Sequence, residues 1–201
     1  MQANRVFLLS PANLSGKRAK MLLNPFATFE LAVRLRKSRE TRLGEVFSFV
    51  SGLYFRGKWA YARAFAKAPE GSPGAFVITS NQGLISADAF TCADELLDFS
   101  KVPIDSRNKH YSEPLVRDAS RLAASYTGTC SFVLLGSIAT GKYIDLLLPI
   151  FAEKLQFPEE FVGRGDMSRG GLLLRSVAEN RMLTHVPVVQ RAQRGSAGSA
   201  G

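Results

Sequence analysis

Polar segments that follow apolar runs carry the side chains best suited to chemistry in this sequence. Ser10-Pro11-Ala12-Asn13 comes directly after the apolar run 5–9. An Asn amide both donates and accepts hydrogen bonds, so Asn13 can hold a water molecule or a base edge. The same residue can instead form an Asx turn that caps the next helix. A further polar segment, 79–84, ends another apolar run and adds Ser80 to the same predicted rim.

The segment Gly163–Gly171 (GRGDMSRGG) is the most unusual in composition, with four glycines and two arginines. Glycines allow close backbone approach, and Arg164 and Arg169 can bind a phosphate or a base in bidentate fashion, with Ser168 beside them. Asp166 lies between the arginines, where a carboxylate stays ionised and can activate water or stabilise a cationic sugar. The alternative is a structural Arg–Asp cluster in a turn.

Gly136-Ser137-Ile138-Ala139-Thr140-Gly141-Lys142-Tyr143 matches a phosphate-loop pattern up to its last position. It lies between a predicted strand and a predicted helix, as that pattern requires. However, Tyr143 stands where a Ser or Thr would hold magnesium. The loop therefore indicates an anion site at a helix N-terminus, formed by the backbone from Gly136, by Ser137 and by Lys142. Phosphoryl transfer from a bound nucleotide remains an alternative.

The charge balance favours a polyanionic partner. The chain has 26 Lys and Arg against 17 Asp and Glu, a formal charge of +9. A surface this basic attracts nucleic acid or phosphorylated ligands. The 2 Cys and 2 His residues argue against a disulfide framework and a His-rich metal site, so we expect no metal and no cofactor. No apolar run approaches the roughly 20 residues of a membrane span, and no signal peptide is evident, so we expect a cytoplasmic protein that contacts no membrane.

Apolar runs that alternate with helical patterns predict the fold class. Residues 1–190 are expected to form a single α/β domain, and residues 191–201, which end in GSAGSAG, a flexible tail or linker. Helices between strands imply a mainly parallel central sheet of about four to five strands flanked by helices, with ligands at the carboxyl ends of the strands. Predicted strands cover 5–9, 43–50, 75–79, 131–135 and 185–189, and predicted helices cover 28–37, 55–68, 113–126 and 141–155.

The two polar segments at 10–13 and 163–171 resemble, in type and order, the motifs of the uracil-DNA-glycosylase superfamily. In that superfamily a polar motif follows the first strand and a second loop follows the last strand of a small parallel sheet. Some branches place an Asn in the first motif to position the attacking water, which here would be Asn13. The second loop usually has a His followed by Pro and Ser, and this sequence lacks that His.

The resemblance implies a DNA glycosylase, an enzyme that hydrolyses the N-glycosidic bond of a modified base in DNA. The short basic chain is similar in outline to relatives that protect bacteria against phages by excising modified bases. Either Asn13 or Asp166 would orient the attacking water. Residues 53–62 and 76–88 also resemble uncharacterised bacterial domains related to the accessory domains of tRNA-guanine transglycosylase-like enzymes.

DNA, especially modified phage DNA, is therefore the expected partner, and no obligate protein partner is evident. Two alternatives remain: a nucleotide-binding or phosphoryl-transfer protein that uses residues 136–142, and a non-catalytic nucleic-acid-binding module.

Overall fold

The first apolar run forms the centre of the sheet. In the computed structural model, which describes residues 4–37, 39–126 and 128–189, Val6 to Leu9 have no exposed surface. A strand buried on both faces needs side chains that are apolar at successive positions, and this run provides them. The predicted tail at 191–201 lies outside the described residues.

The strands form a six-stranded sheet and a two-stranded ladder. They are β1 (Asn4–Leu9), β2 (Thr41–Arg42), β3 (Ala75–Ile78), β4 (Leu84–Ser86), β5 (Phe90–Thr91), β6 (Cys130–Leu135), β7 (Leu155–Pro158) and β8 (His185–Pro187). The large sheet has the order β4-β3-β1-β6-β7-β8, and β2 pairs with β5. The four central strands are parallel, whereas β4 and β8 pair antiparallel at the two edges. The predicted α/β class with a mainly parallel sheet is confirmed.

Helices cover both faces of this sheet. They are α1 (Lys17–Leu22), α2 (Glu30–Lys37), α3 (Leu43–Ser51), α4 (Leu53–Phe65), α5 (Ala93–Lys101), α6 (Lys109–Ser125), α7 (Gly141–Phe151) and α8 (Asp166–Ala178). Two short 3-10 turns, Ala152–Lys154 and Glu159–Phe161, flank β7. None of the helices in the described ranges is both long and apolar enough to cross a membrane.

Alternate residues of β1 divide the core into two layers. Phe7 and Leu9 pack with α1 to α5 and α8, whereas Val6 and Leu8 pack with α6 and α7. This alternation follows from the two-residue period of a strand. The sheet is thereby fixed between the two helical layers, and its carboxyl edge carries the loops that follow β1, β3 and β6.

The prediction of a strand at 43–50 is wrong, because this segment is helix α3. Its buried side chains include Leu43, Val46, Phe47 and Val50, which have the i, i+3, i+4, i+7 spacing of one helical face. Burial of this face against the core outweighs the β propensity of the valines and phenylalanines.

Other elements also differ from the predictions, among them the helix predicted at 141–155, which ends at Phe151. The segment 163–171 is a loop only to Gly165, because α8 begins at Asp166. Helix α6 begins before the predicted Glu113, since the Asn108 side chain caps it by accepting a hydrogen bond from the His110 amide. The strands β4 and β7 were not predicted, and with the four predicted strands that belong to this sheet they make six, where about four to five were expected.

Candidate functional site

The carboxyl ends of β1 and β6 mark the point where the chain changes direction across the sheet. From β1 the chain proceeds to β3 on one side, whereas β6 and then β7 lie on the other side. The loops after β1 and β6 therefore lead away from each other and leave a crevice, which is where open α/β sheets bind ligands. Two adjoining cavities are present at this edge.

The first cavity, called here the β1–β6 cavity, has a volume of about 450 Å³ and is lined by half of the predicted site residues. It brings together residues from the loops after β1 and β6 with the first residue of α8. The predicted residues on its wall are Ser10, Asn13, Ser137, Lys142 and Asp166. Lys17 and Arg18 of α1 also line it, so three cations face one carboxylate. This charge balance suits a ligand that carries phosphate groups.

The second cavity, called here the β1–β3 cavity, has a volume of about 380 Å³ and lies on the other side of Asn13. Pro11, Asn13, Lys142 and Tyr143 line both cavities, which makes them neighbours along one cleft. Rings and aliphatic side chains form much of the remaining wall: Phe47, Phe99, Val102, Pro103 and Ile104. Such a wall suits the flat, partly apolar body of a nucleobase.

Asn13 forms an Asx turn with Ser15, but it does not cap the next helix as that interpretation expected, because the N-cap of α1 is Gly16. Its Oδ1 accepts hydrogen bonds from the Ser15 amide at 2.9 Å and from Ser15 Oγ at 2.7 Å. These bonds use both lone pairs of Oδ1 and leave the Nδ2 group to donate. Asn13 Nδ2 can therefore donate to a water oxygen or a ligand carbonyl, but in this arrangement Oδ1 does not accept a further hydrogen bond from water.

Asp166 is the acidic side chain on the wall of the β1–β6 cavity. As the first residue of α8 it lies where the helix dipole stabilises negative charge. Its side chain is 72% exposed, and Oδ1 lies 3.8 Å from Arg169 Nη1. A carboxylate at this position can accept a proton, or it can stabilise positive charge that develops on a bound ligand.

Lys58 of α4 is a site residue that the sequence analysis missed. It is 1% exposed, and its Nζ donates hydrogen bonds to the Ser10 carbonyl at 2.5 Å and to Ser10 Oγ at 2.9 Å. Burial lowers the pKa of Lys58 to about 7, although nearby Asp166 opposes the shift. Ser10 Oγ in turn donates to the Leu135 carbonyl at 3.2 Å, so Lys58 ties the ends of β1 and β6 together. The spacing of Lys58 from Tyr54 and Tyr61 places it on the buried helix face and could have revealed it.

The hydroxyl of Tyr54 is a second polar group that is buried beside the cavity. Tyr54 is 7% exposed and lines the β1–β6 cavity, and the neighbouring Arg169 guanidinium interacts with its hydroxyl and opposes the rise of its pKa. Burial raises the pKa of Tyr54 to about 12, so the hydroxyl keeps its proton.

The glycine-rich loop after β6 is shaped by close approach to β1. A Cβ on Gly136 would lie 3.0 Å from Ser10 Cβ, which explains the glycine there. Ser137 Oγ accepts a hydrogen bond from the Ala139 amide, and α7 begins at Gly141. Tyr143 is only 4% exposed and packs in the core. Among the described residues, no group of three or more His, Cys, Asp and Glu side chains could hold a metal ion.

The remaining predicted residues lie apart from the β1–β6 cavity wall. Ser80 lines the β1–β3 cavity, and its hydroxyl donates to the Phe99 carbonyl. Arg164 bonds Ser168 Oγ and the Glu160 carbonyl at the exposed start of α8. Arg169 Nε donates to the Phe161 carbonyl, and with Gly136 it lines a third cavity of about 330 Å³. These local bonds brace the segment that carries Asp166.

Comparison with protein-family models, curated proteins and solved structures found no match. The resemblance to uracil-DNA glycosylases therefore remains a prediction from the motifs at 10–13 and 163–171. A functional proposal has to rest on the chemistry of the two cavities.

Proposed function

We propose that this protein hydrolyses the N-glycosidic bond of a modified base in DNA, as a defence against phages that modify their DNA. The observation that carries the proposal is the cleft at the end of β1. Asn13 and Asp166 line the β1–β6 cavity together with three cations, and a cavity whose wall combines apolar and polar side chains adjoins it. An enzyme of this class needs cations that bind the DNA phosphates, a pocket that holds the base and a carboxylate near the sugar.

The two cavities divide these tasks between them. Lys17, Arg18 and Lys142 would bind the phosphates on either side of the extruded nucleotide, since they line the β1–β6 cavity. The base would enter the β1–β3 cavity, whose wall includes Phe47 and Phe99. Asn13 lines both cavities and would donate through Nδ2 to a base carbonyl or to the attacking water.

In the chemical step, the bond between the base nitrogen and the sugar C1′ breaks, and its electron pair leaves with the base. A water oxygen forms the new bond to C1′, and one water proton passes to the Asp166 carboxylate. The departing base takes up a proton from solvent, and Asp166 returns its own to solvent. The products are the free base and an abasic sugar. Asp166 also stabilises the positive charge that develops on the sugar.

The test is release of free base from phage DNA that contains hypermodified cytosines. Purified protein should release the base, detected by mass, and leave alkali-labile sites in the DNA. Asp166→Asn should slow release by about 10²- to 10⁴-fold, because it removes the proton acceptor. Asn13→Ala should also slow release, because it removes the Nδ2 donor.

The matched control is Glu179→Gln, a neutralised carboxylate directly after the other end of α8, which should release base at the wild-type rate. Absence of released base from every modified DNA, or a wild-type rate for Asp166→Asn, would contradict the proposal.

A nucleotide-binding or phosphoryl-transfer protein is the second candidate, favoured by one observation. Lys142 follows the glycine at the start of α7 and lines both cavities, as a phosphate-binding lysine would. Against it, the position that would hold magnesium is taken by buried Tyr143. Magnesium-dependent nucleotide binding without base release in the same preparations would favour this alternative. DNA binding with no product would favour a non-catalytic module.

A further inference from the structure

A braced turn, residues 24–27, presents an exposed aromatic ring between α1 and α2. Phe26 is 86% exposed, more than any other large apolar side chain among the described residues. We refer to residues 24–27 as the Phe26 turn. It is separate from the β1–β6 and β1–β3 cavities, which none of its residues line.

Hydrogen bonds on both sides fix the shape of the Phe26 turn. Asn24 Oδ1 accepts from the Phe26 amide at 2.9 Å, and the Asn24 carbonyl accepts from the Ala27 amide at 3.0 Å. Arg36 of α2 donates from Nη1 to the Asn24 carbonyl at 3.0 Å and from Nη2 to the Ala27 carbonyl at 2.5 Å. The backbone that carries the ring is thus held before any partner binds, which lowers the entropic cost of binding.

The surface beside the turn is rich in cations, and Glu30 at the start of α2 is the acid nearest to the turn in sequence. The chain has no Asp or Glu before Glu30. Helix α1 exposes Lys17, Arg18 and Lys20, and it ends shortly before the turn. Two exposed apolar side chains among such cations, Phe26 and the 48% exposed Met21 of α1, differ from the large contiguous apolar patch that a protein interface would present. Polyanions with flat, stackable groups match this surface, and nucleic acid has both features.

We propose that Phe26 stacks on a base of the nucleic acid strand whose phosphates bind the cations of α1. This inference rests on the proposed function, because it extends the same binding surface away from the cavity. Lys17 and Arg18 at the start of α1 line the β1–β6 cavity, and the Phe26 turn follows the other end of the helix. A helix of six residues is about 9 Å long, which matches about two to three phosphates of a duplex strand.

The Phe26 ring would therefore contact the strand a few nucleotides from the one held in the cavity. A ring that inserts or stacks there holds the strand while the target base is out of the helix. It also gives affinity without sequence preference, because every base has a stackable face.

The test measures binding of fluorescently labelled DNA, single-stranded and duplex, by anisotropy at a fixed salt concentration. Phe26→Ala should weaken binding by about 5- to 150-fold, the range expected for loss of one stacked base. Phe26→Tyr should bind like wild type because it keeps the ring, and Phe26→Leu should bind like the Ala variant because it is apolar without a ring. The melting temperature should not change, since the side chain is exposed.

The matched control is Phe90→Ala, which removes another exposed ring, 56% exposed on β5 and beside Arg42. It should bind DNA like wild type. Wild-type affinity of Phe26→Ala, or equal binding by Phe26→Leu and Phe26→Tyr, would overturn the inference. So would loss of binding to anionic phospholipid vesicles with unchanged DNA binding, which would identify a lipid surface as the partner.

The outcome is separable from that of the proposed function. Weaker DNA binding by Phe26→Ala without base release by wild type supports the stacking site and contradicts the glycosylase proposal. If wild type releases base and Phe26→Ala binds DNA with wild-type affinity, the glycosylase proposal is supported and the stacking site is contradicted.

Discussion

Lys58 shows how a single buried charge can hold the candidate site together. Its ammonium group bonds both the carbonyl and the hydroxyl of Ser10, and it lies 4.3 Å from the centroid of the Tyr54 ring. The Ser10 carbonyl, the Ser10 hydroxyl and the Tyr54 ring thus replace water molecules that normally surround a lysine ammonium group. The cost of removing that water appears as the lowered pKa, about 7, which means that the folded protein holds this proton less firmly than the unfolded chain.

This difference predicts that stability depends on pH through Lys58. Between pH of about 7 and 10.5, unfolded Lys58 is protonated while folded Lys58 is largely neutral, so the unfolded state binds more protons. Stability therefore rises with pH across this window, by up to about 1.4 kcal/mol per pH unit, and the penalty is fully present below the folded pKa. Urea unfolding of wild type and Lys58→Met from pH 6 to 9.5 measures it.

The free energy of unfolding of wild type should increase relative to that of Lys58→Met as pH rises. Lys154→Met, which removes an exposed lysine, should parallel wild type at every pH. A constant difference between wild type and Lys58→Met would show that the folded Lys58 pKa is ordinary.

Position in the sequence explains why some site residues could be predicted, whereas for Lys58 helical spacing indicates only a buried helix face and not the partner that it bonds. Asn13 and Lys142 follow apolar runs, and the carboxyl ends of parallel strands meet at one edge, so their convergence could be inferred. Asp166 was selected from its arginine neighbours, and the structure places it on the same cavity wall. Burial of Lys58 depends on the Ser10 carbonyl, 48 residues away in sequence, and no local pattern reports that partner.

At the scale of elements, the contact between α4 and α8 positions Asp166. The two helices meet backbone to backbone at a pair of glycines: a Cβ on Gly57 would lie 2.7 Å from the Gly170 carbonyl oxygen, and a Cβ on Gly170 would lie 2.8 Å from the Leu53 carbonyl oxygen. Since α4 also carries Lys58, this contact sets the separation between Lys58 and Asp166.

Gly170→Ala should therefore separate the helices. The added methyl meets backbone, which cannot rotate away, and we expect a loss of about 1–3 kcal/mol in the free energy of unfolding. Because α8 carries Asp166, base release should also slow. Gly171→Ala is the control, since a Cβ there has no atom within 4 Å, and it should stabilise by up to about 1 kcal/mol through helix propensity. Equal effects of the two substitutions on stability would contradict the close contact.

The elements themselves were predictable to different degrees. Strands β1, β3 and β6 follow from uniformly apolar runs that only a doubly covered sheet can bury. Helix α3 was predicted as a strand because its aromatic and β-branched residues favour extended structure, and only the packing of its i, i+3, i+4 face decides otherwise. The start of α8 was missed because glycines on both sides of Asp166 indicate a loop, while the need for a close helix contact at Gly170 is invisible in the sequence.

At the scale of the whole molecule, the fold shows where some of the cations behind the formal charge of +9 are located. Lys17, Arg18 and Lys142 all lie at the carboxyl edge of the parallel strands, beside the cavities. Lys154 lies at the opposite edge, since it directly precedes β7, which runs parallel to β6. Composition favours a polyanionic partner, and under the proposed function that partner would bind at the edge of the sheet where these three cations line the cavity.

This asymmetry predicts which lysines govern the salt dependence of DNA binding. Each phosphate neutralised by a cation contributes about 0.9 to the slope of log affinity against log salt for duplex DNA. Lys17→Met should therefore reduce the slope by about 0.9 and weaken binding to all sequences alike, because it removes one phosphate contact. Lys154→Met makes the same change in net charge at the opposite edge and should leave the slope unaltered. Anisotropy titrations of one labelled duplex at several salt concentrations measure both slopes. Equal losses for the two variants would mean that binding follows total charge and that the edge of the sheet with the cavities is not where DNA lies.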